Sequence, residues 1–596
     1  MIQSYTPSKV RNFSIIAHID HGKTTLTDQF LKITHAVSKQ KLTERMMDSN
    51  PIEQEKGVTI KLAPVRLNYK GYILNLIDTP GHVDFGYEVS RSLQACEGAI
   101  LLVDATQGVQ AQTLANFEKA IQQNLKIIPV INKIDLPVAD VETTILEMIE
   151  LFGIKEEDIL TCSAKTGQGA QTILDKVIEL IPPPEDKVTD ELKALIFTSK
   201  YDNHQGVVAY TRIFSGSLQK NDELSLLFSQ SDCSPLEIGV FTPDKTPVES
   251  LSAGEVGYIA TGLKNIELVK TGDTITHRQT KKQTQPLPGY LEPTPMVFME
   301  LYPLDSNYFH ELKYAMDKLK LHDAALSYKP THSQALGNGL RVGFLGIFHA
   351  EITRERLNRE FNQDLIATAP SVKYQIKTNQ NQTITIENPS ELPDPSQILT
   401  IHEPMTQTKI FAPAEYLPSI IEFARKRRGV LVDSISSGSR ARLEFSIPLS
   451  EIIYNFHDNL KSLTSGYASL EYKTVGYEQV EAVKVDIMVN KEPIEALSFM
   501  TLEKDAQERS RKIVEKLRDV IPRQMFEIPI QAAIGGNIIA RETVKAFRKD
   551  VTAKLYGGDV TRRQKLLKKQ AKGKKRMKQF GQVELNQEAF LAVLES

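Results

Sequence analysis

The strongest constraint on this chain is a junction near its N-terminus. The apolar run FSIIAH, Phe13 to His18, passes through IDHGKTT directly into the helix-patterned LTDQFLKI. A buried strand feeding a helix across a short glycine-containing turn belongs to an α/β layer architecture. The turn nearly spells G-x-x-x-x-G-K-[ST], a loop whose backbone N–H groups and helix N-terminus cradle phosphate. Two residues depart from the expected pattern. Ala17 stands at the first glycine position, and Asp20 puts a carboxylate where the ligand is an anion.

Gly22, Lys23 and Thr24 match the end of such a loop. Lys23 would reach the β/γ oxygens and the Thr24 hydroxyl would ligate Mg²⁺, with Asp20, His21 and Thr25 completing the contact set. Ala17 implies that the first position needs no positive φ. A carboxylate beside phosphates is repelled unless a cation lies between them, so Asp20 either holds a monovalent cation such as K⁺, or turns outward or pairs with a lysine.

Three further fragments each follow an apolar strand. DTPGH, Asp78 to His82, ends YILNLI in an acid suited to a Mg²⁺-linked outer position; Gly81 could donate its N–H to a γ-phosphate and His82 could orient an attacking water. Alone, it is also a plain Pro-Gly turn. NKID, Asn132 to Asp135, follows KIIPVI, and its Asp135 carboxylate can accept both the N1–H and the N2–H₂ of guanine; Asn132 and Lys133 belong to the same loop. In SAK, Ser163, Ala164 and Lys165, a backbone N–H could meet guanine O6. Each fragment alone could be a polar loop. Their order decides, because ligands of open parallel sheets bind outside the carboxyl ends of the strands. A fifth segment, SKQKLTERMMDSNPIEQEKGVTI, is long and charged and contains Thr59, whose hydroxyl and carbonyl could reach Mg²⁺ and the γ-phosphate; it is either a nucleotide-ordered switch or a solvated loop.

A chain of 596 residues exceeds one core. Residues 13 to about 181 alternate strands and amphipathic helices, predicting a parallel sheet with helices on both faces, and IPPPED then reads as a linker. From about 192 to 278, short β-type runs punctuated by Gly, Asn and Asp predict a small closed β-barrel. Residues 295–370 and 403–480 each read β-α-β-β-α-β, the split ferredoxin-like unit, and the polar stretch NQNQTITIENPSELPDPSQ between them reads as a linker or exposed hairpin. In the second unit EIIYNFHDNLKSL reads as one helix. Beyond about 485 come an amphipathic helix, the Gly-rich AAIGGN and a basic tail whose fold the pattern does not give.

The formal net charge of −2 conceals an asymmetry. From Arg562 to Lys578, ten of seventeen residues are basic and none acidic, which leaves 62 of the 72 basic residues against 74 acidic ones elsewhere. Such a tail is a solvated run, an RNA-binding element governed by counterion release, or a contact for an anionic membrane surface. No stretch has the length of a membrane span, and MIQSYTPSKVRNFS lacks the apolar core of a secretory signal. Cys96, Cys162 and Cys233 form no C-x-x-C pair, which argues against structural zinc and a disulfide framework and suits a reducing cytoplasm.

HIDHGKT, GVTI, DTPGH, NKID and SAK resemble the translational GTPases, and the barrel plus two ferredoxin-like units resemble the arrangement in elongation factor G. The run from IPRQMFEIPIQAAIGGN through the basic tail resembles the terminal domain of the LepA (elongation factor 4) family, and the likeness spans essentially the whole chain. About thirty residues separate the two ferredoxin-like units, too few for the domain that elongation factor G inserts there, since domains rarely fall below about fifty residues. No subdomain is inserted between Asp135 and Ser163 either.

The resemblance implies a multidomain α/β and β chain: a P-loop GTPase domain (1–186), a β-barrel (187–285), two ferredoxin-like α+β domains (290–372 and 398–484) and a specific C-terminal domain with the basic tail (485–596). It further implies His82 as the catalytic histidine, Thr24 and Thr59 as Mg²⁺ ligands, and Ile19 with Val58 as an apolar gate, although the family usually has isoleucine at the Val58 position. The implied activity is ribosome-stimulated GTP hydrolysis with ribosome and tRNA as partners, in a cytoplasmic, monomeric protein with peripheral membrane association. Back-translocation, fidelity under ionic stress and small-subunit assembly are the implied roles; a GTP-dependent RNA-binding assembly scaffold with incidental turnover is the alternative.

Overall fold

The computed structural model describes residues 6–36, 52, 55, 62–79, 86–547, 564, 565 and 568, apart from 186, 189, 289–293, 322, 324, 334, 335, 438, 439 and 525. Thr59, Val58, Gly81, His82 and nearly all of the basic tail therefore lie outside the described residues.

The N-terminal unit is built on six strands: β1 (Val10–Ala17), β2 (Ala63–Tyr69), β3 (Tyr72–Asp78), β4 (Gly98–Asp104), β5 (Lys126–Asn132) and β6 (Leu160–Thr161), in the order β2-β3-β1-β4-β5-β6. β1 and β4 are buried along their whole length, as a strand covered on both faces must be. Alternate residues serve opposite cores: Ile15 and Leu102 pack with Leu26 and Phe30, whereas Ile16 and Leu101 pack with Val89 and Leu93. The sheet is not wholly parallel. β2 pairs antiparallel with β3 from Ala63↔Asp78 to Tyr69↔Tyr72, forming a hairpin with Gly71 at φ +78° in its turn. The alternation of strand and helix concealed it, because β2 and β3 have no helix between them.

Residues 193–277 form an eight-stranded antiparallel sheet. Ser217–Gln219 continues the strand Gly206–Ser215 and pairs with Ser250–Ser252, which follows the edge strand Lys245–Pro247, so the sheet curls back on itself around Ile196, Ala209, Ile238 and Ile259. The short strand Thr274–His277 went unread in the sequence. It pairs with Lys193–Asp202 and Leu224–Leu226. This barrel is fastened to the first unit by Arg212–Glu97 (2.8 Å) and Arg66–Glu255 (2.7 Å).

The first β-α-β-β-α-β unit has its strands in spatial order fourth, first, third, second, all antiparallel. The second shows the same order, extended by the hairpin Tyr374–Thr378 and Thr383–Ile386, which pairs with the start of the long strand Ile398–Pro413. Its second helix is split into Leu449–Ile452 and Phe456–Leu463, not continuous, with Asn455 between them at φ +52°. This unit rests on the helix Ala111–Gln122 of the first: the Ala111 N–H donates to Ser469 Oγ at 2.8 Å, and Phe411 packs on Ala111 and Leu114.

Past the second unit, Ala482–Val489 pairs with Phe499–Leu502 and Ile528–Ile534, and Ile528–Ile534 with Asn537–Val544. AAIGGN is the hairpin turn here, with Gly535 and Gly536 at φ +54° and +89°, values that a two-residue turn requires. The helix Ala506–Val520 buries Ile513, Val514 and Leu517 against this sheet, and the same core takes in Tyr302 and Ile366 of the first ferredoxin-like unit.

Candidate functional site

The helix Lys23–Ile33 begins on Gly22, whose φ of +94° is left-handed. A Cβ there would lie 2.4 Å from Asn132 Nδ2, so glycine is required twice over, by backbone angle and by the neighbouring loop. Ala17 is the last residue of β1 and is absent from the positive-φ positions; Asp20, at φ +62°, takes the left-handed turn instead. That is why the first glycine is dispensable.

Asn132 ties three loops together. Its Nδ2 donates to His21 O at 2.8 Å, and its Oδ1 accepts from Ala164 N at 2.9 Å and from Cys162 Sγ at 3.4 Å. Asn132 is buried, so these bonds fix the phosphate loop, NKID and SAK as one body. Ser163 is also buried, and its Oγ accepts from Thr166 N at 3.1 Å. Lys165 is exposed, with its carbonyl 3.4 Å from Gln29 Nε2. Burial pushes the Cys162 thiol up to about 12.

The phosphate side is dominated by Lys23. Its ammonium lies 3.1 Å from Asp78 Oδ1 and donates to Thr79 O. Asp78 is fully buried and its carboxylate oxygens receive no other donor among the described residues. The Thr24 hydroxyl sits in the first turn of the helix, half-buried, and Thr25 is exposed. Hydroxyl and carboxylate oxygens are hard donors, the kind that suit a divalent cation such as Mg²⁺. Among the described residues no three His, Cys, Asp or Glu side chains gather to hold a metal.

Asp135 and Asp20 are exposed, with no partner among the described residues. Asp104 is the residue that motif reading missed. It ends β4 in register with Asn132, is fully buried, and its Oδ2 lies 2.7 Å from Lys133 Nζ. The available signal was GAILLVD, an apolar strand ending in an acid just as YILNLID does.

Family comparisons agree with this architecture. The elongation factor Tu GTP binding domain model matches residues 8–183, elongation factor Tu domain 2 matches 206–276, the elongation factor G C-terminus matches 400–488 and the GTP-binding protein LepA C-terminus matches 489–595. The chain is 50% identical to elongation factor 4 of Thermotoga maritima over 597 residues, covering 99% of this chain and 96% of that protein. It is 49% identical to elongation factor 4 of Prochlorococcus marinus (strain MIT 9215), covering 98% of each, and 49% identical to that of Bacillus cytotoxicus, covering 98% and 97%. A crystal structure from Thermus thermophilus shares the fold with a TM-score of 0.57 at 18% identity, covering 79% of this chain and 97% of that one. The chain belongs to the elongation factor 4 (LepA) family and is a translational GTPase.

Proposed function

We propose that the chain hydrolyses GTP in response to the ribosome, and that the assembled loops are the nucleotide site. The observation that supports this most is the convergence on Asn132, which holds the phosphate loop and SAK together beside the exposed Asp135. In this reading Gly22, Lys23 and Thr24 with Asp20, His21 and Thr25 enclose the phosphates. Asp135 accepts from the guanine edge; Asn132, Lys133, Ser163, Ala164 and Lys165 shape its pocket. Bound Mg²⁺ would neutralise charge developing between the β- and γ-phosphates, with Thr24 and Thr59 as protein ligands and Asp78 behind them. Gly81 donates its N–H to the γ-phosphate, and His82 orients the attacking water.

Turnover of GTP with and without ribosomes, with ATP as control, tests the reading. Stimulation by ribosomes that vanishes in His82→Ala while GDP still binds is the expected result; equal turnover of ATP would sink it. A scaffold role, with turnover incidental, wins instead if His82→Ala supports the cellular role. The step served is back-translocation or fidelity during stress, or small-subunit assembly, with tRNA as a second partner and the protein acting as a cytoplasmic monomer; competition between variants during salt stress, with ribosomal subunit profiles, separates these. Peripheral attachment to anionic membrane is tested by flotation with anionic vesicles; among the described residues no helix is long and apolar enough to cross a membrane. The exposed, left-handed Asp20 supports a monovalent cation near the phosphates. Turnover indifferent to Li⁺ in place of K⁺ at fixed ionic strength would remove that cation.

A further inference from the structure

We propose that Asp104 is a positioning residue for guanine recognition, acting by pinning Lys133 across the floor of the base pocket. This deepens the nucleotide-site reading and rests on it.

Asp104 is fully buried at the carboxyl end of β4, where its backbone is in register with Asn132 of β5. Its two carboxylate oxygens have separate duties. Oδ1 accepts from Thr106 N and Thr106 Oγ1, both at 2.8 Å, which folds the following turn. Oδ2 faces the Lys133 ammonium at 2.7 Å. Lys133 itself sits at φ +64°, a left-handed conformation uncommon for lysine, and that backbone turn is compatible with directing its stem back toward β4. The lysine side chain is 28% exposed, so it is neither buried in a core nor loose in solvent.

Two consequences follow from the chemistry. A fully buried carboxylate needs a cation, and Lys133 is the one within ion-pair distance of Oδ2 among the described residues, an attraction of charge that holds the ammonium near it. With its ammonium tethered, the lysine's methylene stem becomes a fixed apolar strip two residues from Asp135, suited to the face of a purine whose edge Asp135 reads. A lysine already immobilised loses less side-chain entropy when the base arrives. The backbone of Asp104 also reaches the phosphate side, since its N–H donates to His21 Nδ1 at 3.3 Å. One residue thus braces the base loop with its side chain and the phosphate loop with its main chain.

The division of labour gives the test. Asp135 distinguishes guanine from hypoxanthine through the 2-amino group, whereas a platform under the ring does not. GDP and IDP dissociation constants are measured by stopped-flow fluorescence with the full-length protein, alongside thermal unfolding. Asp104→Asn is expected to weaken GDP and IDP alike, each on the order of tenfold, mainly through faster release. The GDP/IDP ratio stays at the wild-type value, and KM for GTP rises with ribosomes while kcat holds within about twofold. Asp135→Asn, in contrast, lowers the ratio. Because Asp104 acts through Lys133, the double variant Asp104→Asn/Lys133→Met binds no more weakly than Lys133→Met alone. Wild-type affinity in Asp104→Asn, a changed GDP/IDP ratio, or additive losses would each overturn the proposal. If Asp104→Asn does not fold, Asp104→Ser replaces it in the cycle, and undiminished GDP affinity in Lys133→Met overturns the proposal by itself. Failure of the wild type to bind GDP overturns the nucleotide-site reading instead.

Discussion

The Lys23 ammonium and the Asp78 carboxylate lie 3.1 Å apart, with side chains 9% and 0% exposed. Lys23 is thus neutralised within the protein, and a phosphate that recruited it would share it with Asp78. Removing one partner of a buried pair strands the other charge, which costs more than the pair itself contributes. Asp78→Ala is therefore expected to destabilise the nucleotide-free protein by about 3 kcal/mol. Lys23→Met/Asp78→Leu, which removes both charges, should recover most of the loss. Urea unfolding without nucleotide measures both, and equal stability of Asp78→Ala and wild type would refute the account.

Gly22→Ala is expected to be more disruptive than its single added carbon suggests. The new Cβ meets Asn132 Nδ2 at 2.4 Å, and the φ of +94° disfavours alanine as well. Since Asn132 cannot shift without losing His21 O and Ala164 N, the phosphate and base loops move apart together. Guanine nucleotide binding by titration calorimetry should fall by at least a hundredfold, a change of about 3 kcal/mol. An alanine variant with wild-type affinity would show that the Asn132 bridge is dispensable.

The loops that meet at Asn132 were legible as strand-end loops because each obeys a local rule: a strand period, a turn residue and a side chain with specific chemistry at the strand's carboxyl end. What escaped was set by distant pairing. β2 is a strand because β3 lies beside it, and Thr274–His277 because two other barrel strands flank it. The break at Asn455 depends on a left-handed angle that no periodicity announces. Asp104 escaped for a related reason: its function lies in the partner, Lys133, which is remote in sequence and adjacent in space. The sheet beyond residue 482 was hidden because its strands are separated by a helix and joined in non-sequential order.

Thiol reactivity follows from burial. Cys96 and Cys162 are buried, and desolvation raises both thiols from the ordinary 9.0, Cys162 to about 12; Cys233, half-buried, is raised to about 11. The thiolate is the reactive form, so the folded protein should react negligibly with a disulfide reagent within minutes at pH 8, while all three thiols react in urea. A raised folded-state value means the native state binds these protons more tightly than the unfolded chain. The associated stability is full below pH 9 and is lost as pH rises through the folded-state values toward 12. Rapid modification of a thiol in the native protein would contradict this placement.

The run from Arg562 to Lys578 carries ten positive charges in seventeen residues. Bound to RNA, such a run releases counterions, so its contribution appears as a slope against salt. Deleting residues 562–596 should leave intrinsic GTP hydrolysis unchanged, weaken ribosome binding and flatten its salt dependence. An unchanged slope in a filter-binding series from 50 to about 200 mM salt would remove the RNA role.

Ile52 is 2% exposed against Ile352 and Phe348, and Glu55 is paired with Arg359 at 2.8 Å, so both residues rest on the helix Ile347–Phe361 of the first ferredoxin-like unit. The two contacts differ in kind. Arg359 and Glu55 are exposed and solvent-screened, and such pairs contribute little, whereas burying an isoleucine removes apolar surface from water. Ile52→Ala should therefore weaken the anchor by about 2 kcal/mol, and Arg359→Ala only slightly. Hydrogen exchange at residues 52 and 55, with a non-hydrolysable GTP analogue bound, should speed up markedly in the first variant and little in the second. The reverse order would mean that the ion pair, not the apolar contact, holds Ile52 and Glu55 to the neighbouring domain.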